Sequence, residues 1–201
     1  NHDRWRLFPH FREKTAYLDI ETSGLGHDAE ITAIALYDGT EVRTYVNGRN
    51  LDDFLEDIDS FQVLVSYNGI SFDIPFIERF FGTTLTQAQI DLRFILSKLG
   101  CRGGVKGCER QFGINRGMLD GVDGSFAVTL WNHYQRYNDE KALETLLAYN
   151  VEDTVNLERL MVEAYNRNVD ITPFGRTLAL PFPQLPRLDH HPDPEILAQY
   201  R

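Results

Sequence analysis

The segment Tyr17-Leu18-Asp19-Ile20-Glu21-Thr22 sets two acids into an otherwise apolar strand pattern. Strand alternation sends Asp19 and Glu21 to one face, roughly 6 to 7 Å apart at Cα, and Leu18 and Ile20 to the other. Acidic residues are disfavoured inside strands. Two on one face repel each other unless a cation sits between them. A solvated edge strand would surround them with polar neighbours, but here the neighbours are Tyr17, Leu18 and Ile20. The chain must therefore fold so that this face meets a compensating partner.

Other segments follow from periodicity. Strands are expected over Thr15–Ile20, Ile31–Tyr37, Glu41–Val46 and Gln62–Tyr67, with a shorter one over Ala88–Leu92. Asp38-Gly39 marks a hairpin between the second and third. Helices are expected over Leu51–Ile58, Ile74–Phe81, 92–99, 105–112, 125–137 and 139–167, with Asn138 or Asp139 capping the last. Three antiparallel strands followed by alternating strand and helix predict an α/β domain with a mixed sheet and helices on its faces. Residues 1–14 read as an N-terminal extension and 15–168 as the domain. Six of the eight prolines lie from Pro173 onward, so 169–201 reads as an extended proline-rich tail that packs on the domain or leads to another.

Two further acids stand out. Asp73 closes Asn68-Gly69-Ile70-Ser71-Phe72-Asp73 after the fourth strand. It either caps the helix that begins at Ile74-Pro75 or joins a site at the strand end, where open α/β sheets place theirs. Tyr149 and Asp153 are four apart on the long helix and share a face. Glu152, one residue away, is expected to point into solvent. Acids converging from separate segments suggest a divalent-metal cluster, which commonly cleaves phosphodiesters.

These residues resemble the three motifs of the DEDD superfamily of 3′ to 5′ exonucleases, on a ribonuclease H-like fold. Asp-x-Glu at 19–21, Asn-x-x-x-Phe-Asp at 68–73 and Tyr-x-x-x-Asp at 149–153 stand in the family's order. Tyr149 places the chain with the tyrosine subclass; the histidine subclass has His where this chain has Ala148. The resemblance runs from about Thr15 to Asn166. It implies two Mg²⁺ or Mn²⁺ ions, with Asp19 bridging, Glu21 and Asp153 completing the first site and Asp73 holding the second. It implies Tyr149 as the residue that orients the attacking water. It also implies contacts from Thr22, Leu25, Asn68 and Phe72 to the terminal nucleotide of a single-stranded DNA or RNA 3′ end. A structure-selective or RNase H-type endonuclease on the same fold, and a non-catalytic nucleic-acid-binding module, are the alternatives.

The net charge of −10 argues against nonspecific coating of nucleic acid. Locally the sign reverses. Arg93, Lys98, Arg102, Lys106, Arg110 and Arg116 outnumber Asp91 and Glu109 between 91 and 117, as a solvated face or a phosphate-binding track would. Lys98, Arg102 and Lys106 would share one helical face, but Gly103-Gly104 argues for a break. Cys101 and Cys108 lack nearby histidines and read as reduced thiols rather than a zinc site. His190-His191 is expected to be solvent-exposed, and Trp131, Tyr134 and Tyr137 to be core. The chain shows neither a membrane-spanning run nor a signal peptide and does not begin with Met, so a processed or trimmed cytoplasmic protein is expected.

Overall fold

The computed structural model describes residues 2–122 and 124–200; Asn1 and Arg201, the outer limits of the expected extension and tail, lie outside the described residues. A turn of 3₁₀ helix at Arg4–Leu7, α1 (Phe8–Phe11) and a second turn at Arg12–Lys14 lead into β1 (Thr15–Thr22), β2 (Ile31–Tyr37) and β3 (Val42–Val46). A 3₁₀ turn at Leu51–Asp53 and α2 (Phe54–Ile58) precede β4 (Val63–Ser66), α3 (Asp73–Phe81), β5 (Ala88–Asp91), α4 (Leu92–Lys98) and α5 (Gly104–Gln111). After a short turn at Gly117–Leu119 come α6 (Gly124–Tyr137), α7 (Glu140–Asp170), α8 (Gly175–Leu178) and α9 (Pro194–Tyr200).

The sheet order is β3-β2-β1-β4-β5. β1 and β3 both pair antiparallel with β2, whereas β1–β4 and β4–β5 are parallel. The mixed α/β sheet expected from the sequence is thus present, and β1 lies at its centre. Ala16, Leu18 and Ile20 on one face of β1 pack with Phe54, Ile58 and Ile77 from α2 and α3. On the other face Tyr17 joins Val151, Val155 and Leu160 of α7. With both faces covered, the odd-numbered positions of β1 cannot be solvated as a plain edge would be.

Local chemistry explains most boundaries. In the β2–β3 hairpin, Asp38 Oδ1 accepts the N–H groups of Thr40 and Glu41 at 2.9 and 2.8 Å. That commits Glu41 to the turn, so β3 starts at Val42 rather than at 41. α3 ends at Gly82, whose φ of +64° terminates a helix at little cost. α7 opens on Asp139, whose side chain accepts the Lys141 N–H at 3.0 Å. No Gly or Pro interrupts its 31 residues. As Gly103-Gly104 implies, α4 and α5 are separate, and both glycines have positive φ.

The regions that flank the sheet carry contacts that the sequence pattern does not signal. The segment before β1 buries Trp5 and Phe8, and Arg12 pairs with the buried Glu158 of α7 at 2.9 Å. The last thirty residues are not wholly extended, since α8 and α9 interrupt them. Ile196 and Leu197 of α9 are buried against α6 and α7. His190 is only partly exposed; it pairs with Glu144 at 3.0 Å and Thr44 at 3.2 Å. Its neighbour His191 is exposed. Tyr137 is 60% exposed, although Trp131 on the same helix is buried. Cys101 and Cys108 are buried free thiols. Among the described residues no helix is long and apolar enough to cross a membrane.

α5 is seated unusually closely. A Cβ added at Gly107 would lie 2.2 Å from the Arg102 carbonyl oxygen, a backbone atom that cannot rotate away. Gly107→Ala is expected to destabilise the protein by about 1–3 kcal/mol through overpacking. Gly26→Ala, which meets nothing within 4 Å, should stay within about 0.5 kcal/mol. Urea unfolding of the two variants checks the contrast.

Candidate active site

Asp19 and Glu21 lie on the face of β1 that α7 covers. Between Glu21 and Thr22 the β1–β2 register shifts, so Thr22 pairs with Ile31 while Glu21 pairs with Ala33. A bulge of this kind bends a strand end and re-aims its side chains. α7 crosses that end and brings Tyr149 and Asp153, one turn apart on the helix. Asp19, Glu21 and Asp153 each offer a carboxylate oxygen, and the three atoms lie within 4.8 Å of one another. Asn150 stitches helix to strand; its Nδ2 donates to Asp19 Oδ2 at 2.8 Å and to the Asp19 carbonyl at 3.2 Å.

Asp73 approaches from the opposite layer. It is the first residue of α3, and that helix has Phe72 as its N-cap with no capping side-chain hydrogen bond. The capping role open from sequence is therefore not the one it adopts. Its Oδ1 instead accepts the N–H of Ile20, between the two acids of β1, at 3.2 Å. The loop that presents it is held by Asp91, which sequence reading counted only as a charge. The buried Asp91 carboxylate accepts the N–H groups of Asn68, Ile70 and Arg93 at 2.8, 3.3 and 3.0 Å.

Two cations complete the cluster. Lys106 of α5 donates through Nζ to the Tyr149 hydroxyl at 2.6 Å and to the Val122 carbonyl. Arg116 is 3% exposed and contacts Asp153; its Nη1 donates to both oxygens of Glu109 at 2.9 Å. The basic stretch is thus neither one solvated face nor one track. Lys106 and Arg116 turn inward, Arg93 bonds Asn68, and Lys98, Arg102 and Arg110 stay exposed. The only sequence signal for this split was the local charge reversal. Glu152 is not fully solvated either: it is half-buried and accepts from Asn156 at 3.4 Å, and burial raises its pKa.

Beside the acids lies an apolar cleft of about 470 Å³ whose walls include Glu21, Thr22, Leu25 and Phe72 from β1 and the loops, and Val128 from α6. Leu25 is 87% exposed at its rim. Phe72 is half-buried and packs on Phe76. Thr22 is buried, its hydroxyl donating to the Gly24 carbonyl. Three of the four residues expected to meet a terminal nucleotide therefore share one wall. Asn68 differs: its φ is +68°, and its side-chain oxygen accepts from Arg93.

A sequence profile of the RNase_H superfamily matches residues 16–165. Among solved structures, the family B DNA polymerase of the hyperthermophilic archaeon Pyrobaculum calidifontis is similar in fold. The likeness has a TM-score of 0.56 at 19% identity and covers 83% of this chain but only 27% of the polymerase chain. No curated protein matches the sequence.

The acids of the cluster are held toward their protonated forms. Burial, then Asp153, Asp73 and Glu21, hold the Asp19 carboxyl well above the ordinary range, against the opposing hydrogen bond from Asn150. Burial and Asp153 do the same to Glu21, with Lys106 opposing. Burial pushes Asp73 up to about 7, against the pull of two backbone N–H groups. Three hard oxygen donors with no sulfur or imidazole among them fit Mg²⁺ or Mn²⁺. An Asp whose pKa is about 7 when folded and roughly 4 when unfolded binds more proton in the folded state between those values. The metal-free fold therefore loses stability as pH rises through that window. Thermal melts in chelator are expected to show the melting temperature falling from about pH 4 to about pH 7, with Mn²⁺ reversing the fall. A flat profile would contradict the raised values.

Proposed function

The chain belongs to the RNase_H superfamily, and from that membership we propose that it is a metal-dependent 3′ to 5′ exonuclease of single-stranded DNA or RNA ends. The observation that carries the reading is the meeting of Asp19, Glu21 and Asp153 within 4.8 Å, next to an apolar cleft of about 470 Å³ that Glu21 itself lines. Asp19, Glu21 and Asp153 would hold one Mg²⁺ or Mn²⁺ ion, and Asp19 with Asp73 a second. Such ions supply Lewis acidity that activates water and stabilises the departing 3′ oxygen.

The protein's own groups divide the remaining work. Tyr149 is held by burial and by Asp153 far above the ordinary phenol range, so it keeps its proton near neutral pH. It is unsuited to be a base and suited to orient the attacking water by hydrogen bonding. Lys106 fixes its hydroxyl from the other side at 2.6 Å. Burial lowers the Lys106 pKa while Asp153 and Glu21 oppose the change. Leu25 and Phe72 offer apolar surface to the last base and sugar, a mode of contact that tolerates any base. Thr22 lines the same wall. Asn68 contributes through the loop that carries Asp73. In-line hydrolysis at the terminal linkage would release a nucleoside 5′-monophosphate.

The test is digestion of 5′-labelled single-stranded DNA and RNA of one sequence, with Mg²⁺, Mn²⁺ or chelator. Shortening from the 3′ end is expected only with metal, and Asp19→Ala and Asp153→Ala should abolish it while circular dichroism stays native. Cutting of circular single strands would replace this reading with the endonuclease one. Metal-dependent binding with no cleavage would favour a binding module. Tyr149→Phe is expected to slow release about 100-fold and to leave Mn²⁺ affinity unchanged; an unaltered rate would remove the role given to the hydroxyl.

A further inference from the structure

Arg116 poses a problem that the exonuclease reading does not answer. A guanidinium in contact with a metal-ligand carboxylate should compete with the metal. The contact with Asp153 is nevertheless built in, because Arg116 is 3% exposed in its side chain and Glu109 1%. Glu109 is further held by Asn156 Nδ2 at 2.9 Å. Asn156 lies three residues beyond Asp153 on α7. The chain Asn156–Glu109–Arg116–Asp153 therefore starts and ends on α7 and passes through α5 and the loop after it.

Glu109 tempers that competition. Two 2.9 Å bonds from one guanidinium nitrogen tie the Arg116 charge to a second carboxylate, so Asp153 shares the cation with Glu109 rather than facing it alone. What Arg116 adds is place: seated on Glu109 through Nη1, the planar guanidinium keeps Nη2 in ion-pair contact with Asp153, which a single-headed ammonium would not do. We infer that Arg116 is a positioning residue: seated on Glu109, it sets the Asp153 carboxylate against Asp19 and Glu21 and so strengthens divalent-metal binding. The inference rests on the metal site proposed above.

Mn²⁺ binding to the full chain, read from the electron paramagnetic resonance signal of the free ion, tests it. The double variant Glu109→Gln/Arg116→Gln removes one charge of each sign, leaving the net charge of the region unchanged. Binding is expected to weaken about 10- to 100-fold, the usual effect of losing a group that orients a metal ligand, with a near-native melting temperature. Wild-type or tighter binding in that variant would overturn the inference and make Arg116 a bystander or competitor. If the double variant does not fold, Arg116→Lys decides: it keeps the charge but loses the fork, and wild-type affinity in it also overturns the inference. Leu197→Ala in α9, which removes apolar packing and no polar group, should lower the melting temperature without moving Mn²⁺ affinity, which separates positioning from general destabilisation. Wild-type protein that binds no more Mn²⁺ than Asp153→Asn would remove the metal site itself, and the inference with it.

Discussion

Mutual repulsion among buried carboxylates at the end of β1 is the constraint around which this molecule is arranged. Asp19 and Glu21 are placed by strand geometry, Asp153 by α7 and Asp73 by α3, and the charges of Asp153 and Asp73 raise the cost of ionising Asp19 and Glu21. Burial without compensation would neutralise such groups or unfold the segment that carries them. The surrounding contacts answer that cost in a consistent way. Asn150 and the Ile20 N–H donate to two of the acids, and Arg116 and Lys106 bring positive charge to the other side of the cluster.

α5 is the element that turns this cluster from an acidic patch into a differentiated site. Its residues Lys106 and Glu109 reach, respectively, the Tyr149 hydroxyl and the Arg116 guanidinium. Both interactions depend on a helix that can approach the Arg102 carbonyl only because residue 107 has no side chain. The positive charges meet the cluster through residues of α7, Lys106 at Tyr149 and Arg116 at Asp153. The apolar cleft meets it through Glu21, with Leu25 and Phe72 in its walls.

Much of this was legible in the sequence, and the limits of legibility have a common cause. Strand alternation, the Asp-Gly turn, Gly82 and the pattern of α7 are local signals, and the corresponding elements form where expected. Asp19, Glu21 and Asp153 were recognisable because acids in apolar segments conflict with their local surroundings. Arg116 presents no such conflict, since it lies in a polar loop, and Asp91, although flanked by Ile90 and Leu92, belongs to no acidic pair; each acquires its role only when a distant backbone or carboxylate arrives. Tyr137 follows the spacing of Trp131 and Tyr134 yet lies at the last residue of α6, beyond the reach of α7. The proline-rich composition of the C-terminal region foretold its irregular path but not α9, whose Ile196 and Leu197 are fixed by the core they meet.

That path has a mechanical result. Leu180 exchanges two hydrogen bonds with the Asn166 side chain near one end of α7, and Asp193 accepts from Lys141 at the other. The intervening residues run back along the helix, with His190 clasping Glu144 about one turn from the Lys141 end. At 1.5 Å per residue, the two anchorages are nearly 40 Å apart, so this segment works as a splint. Tyr149 and Asp153 lie between its fastenings, and any bending or fraying of α7 must first release a stretch of chain that never touches the acids.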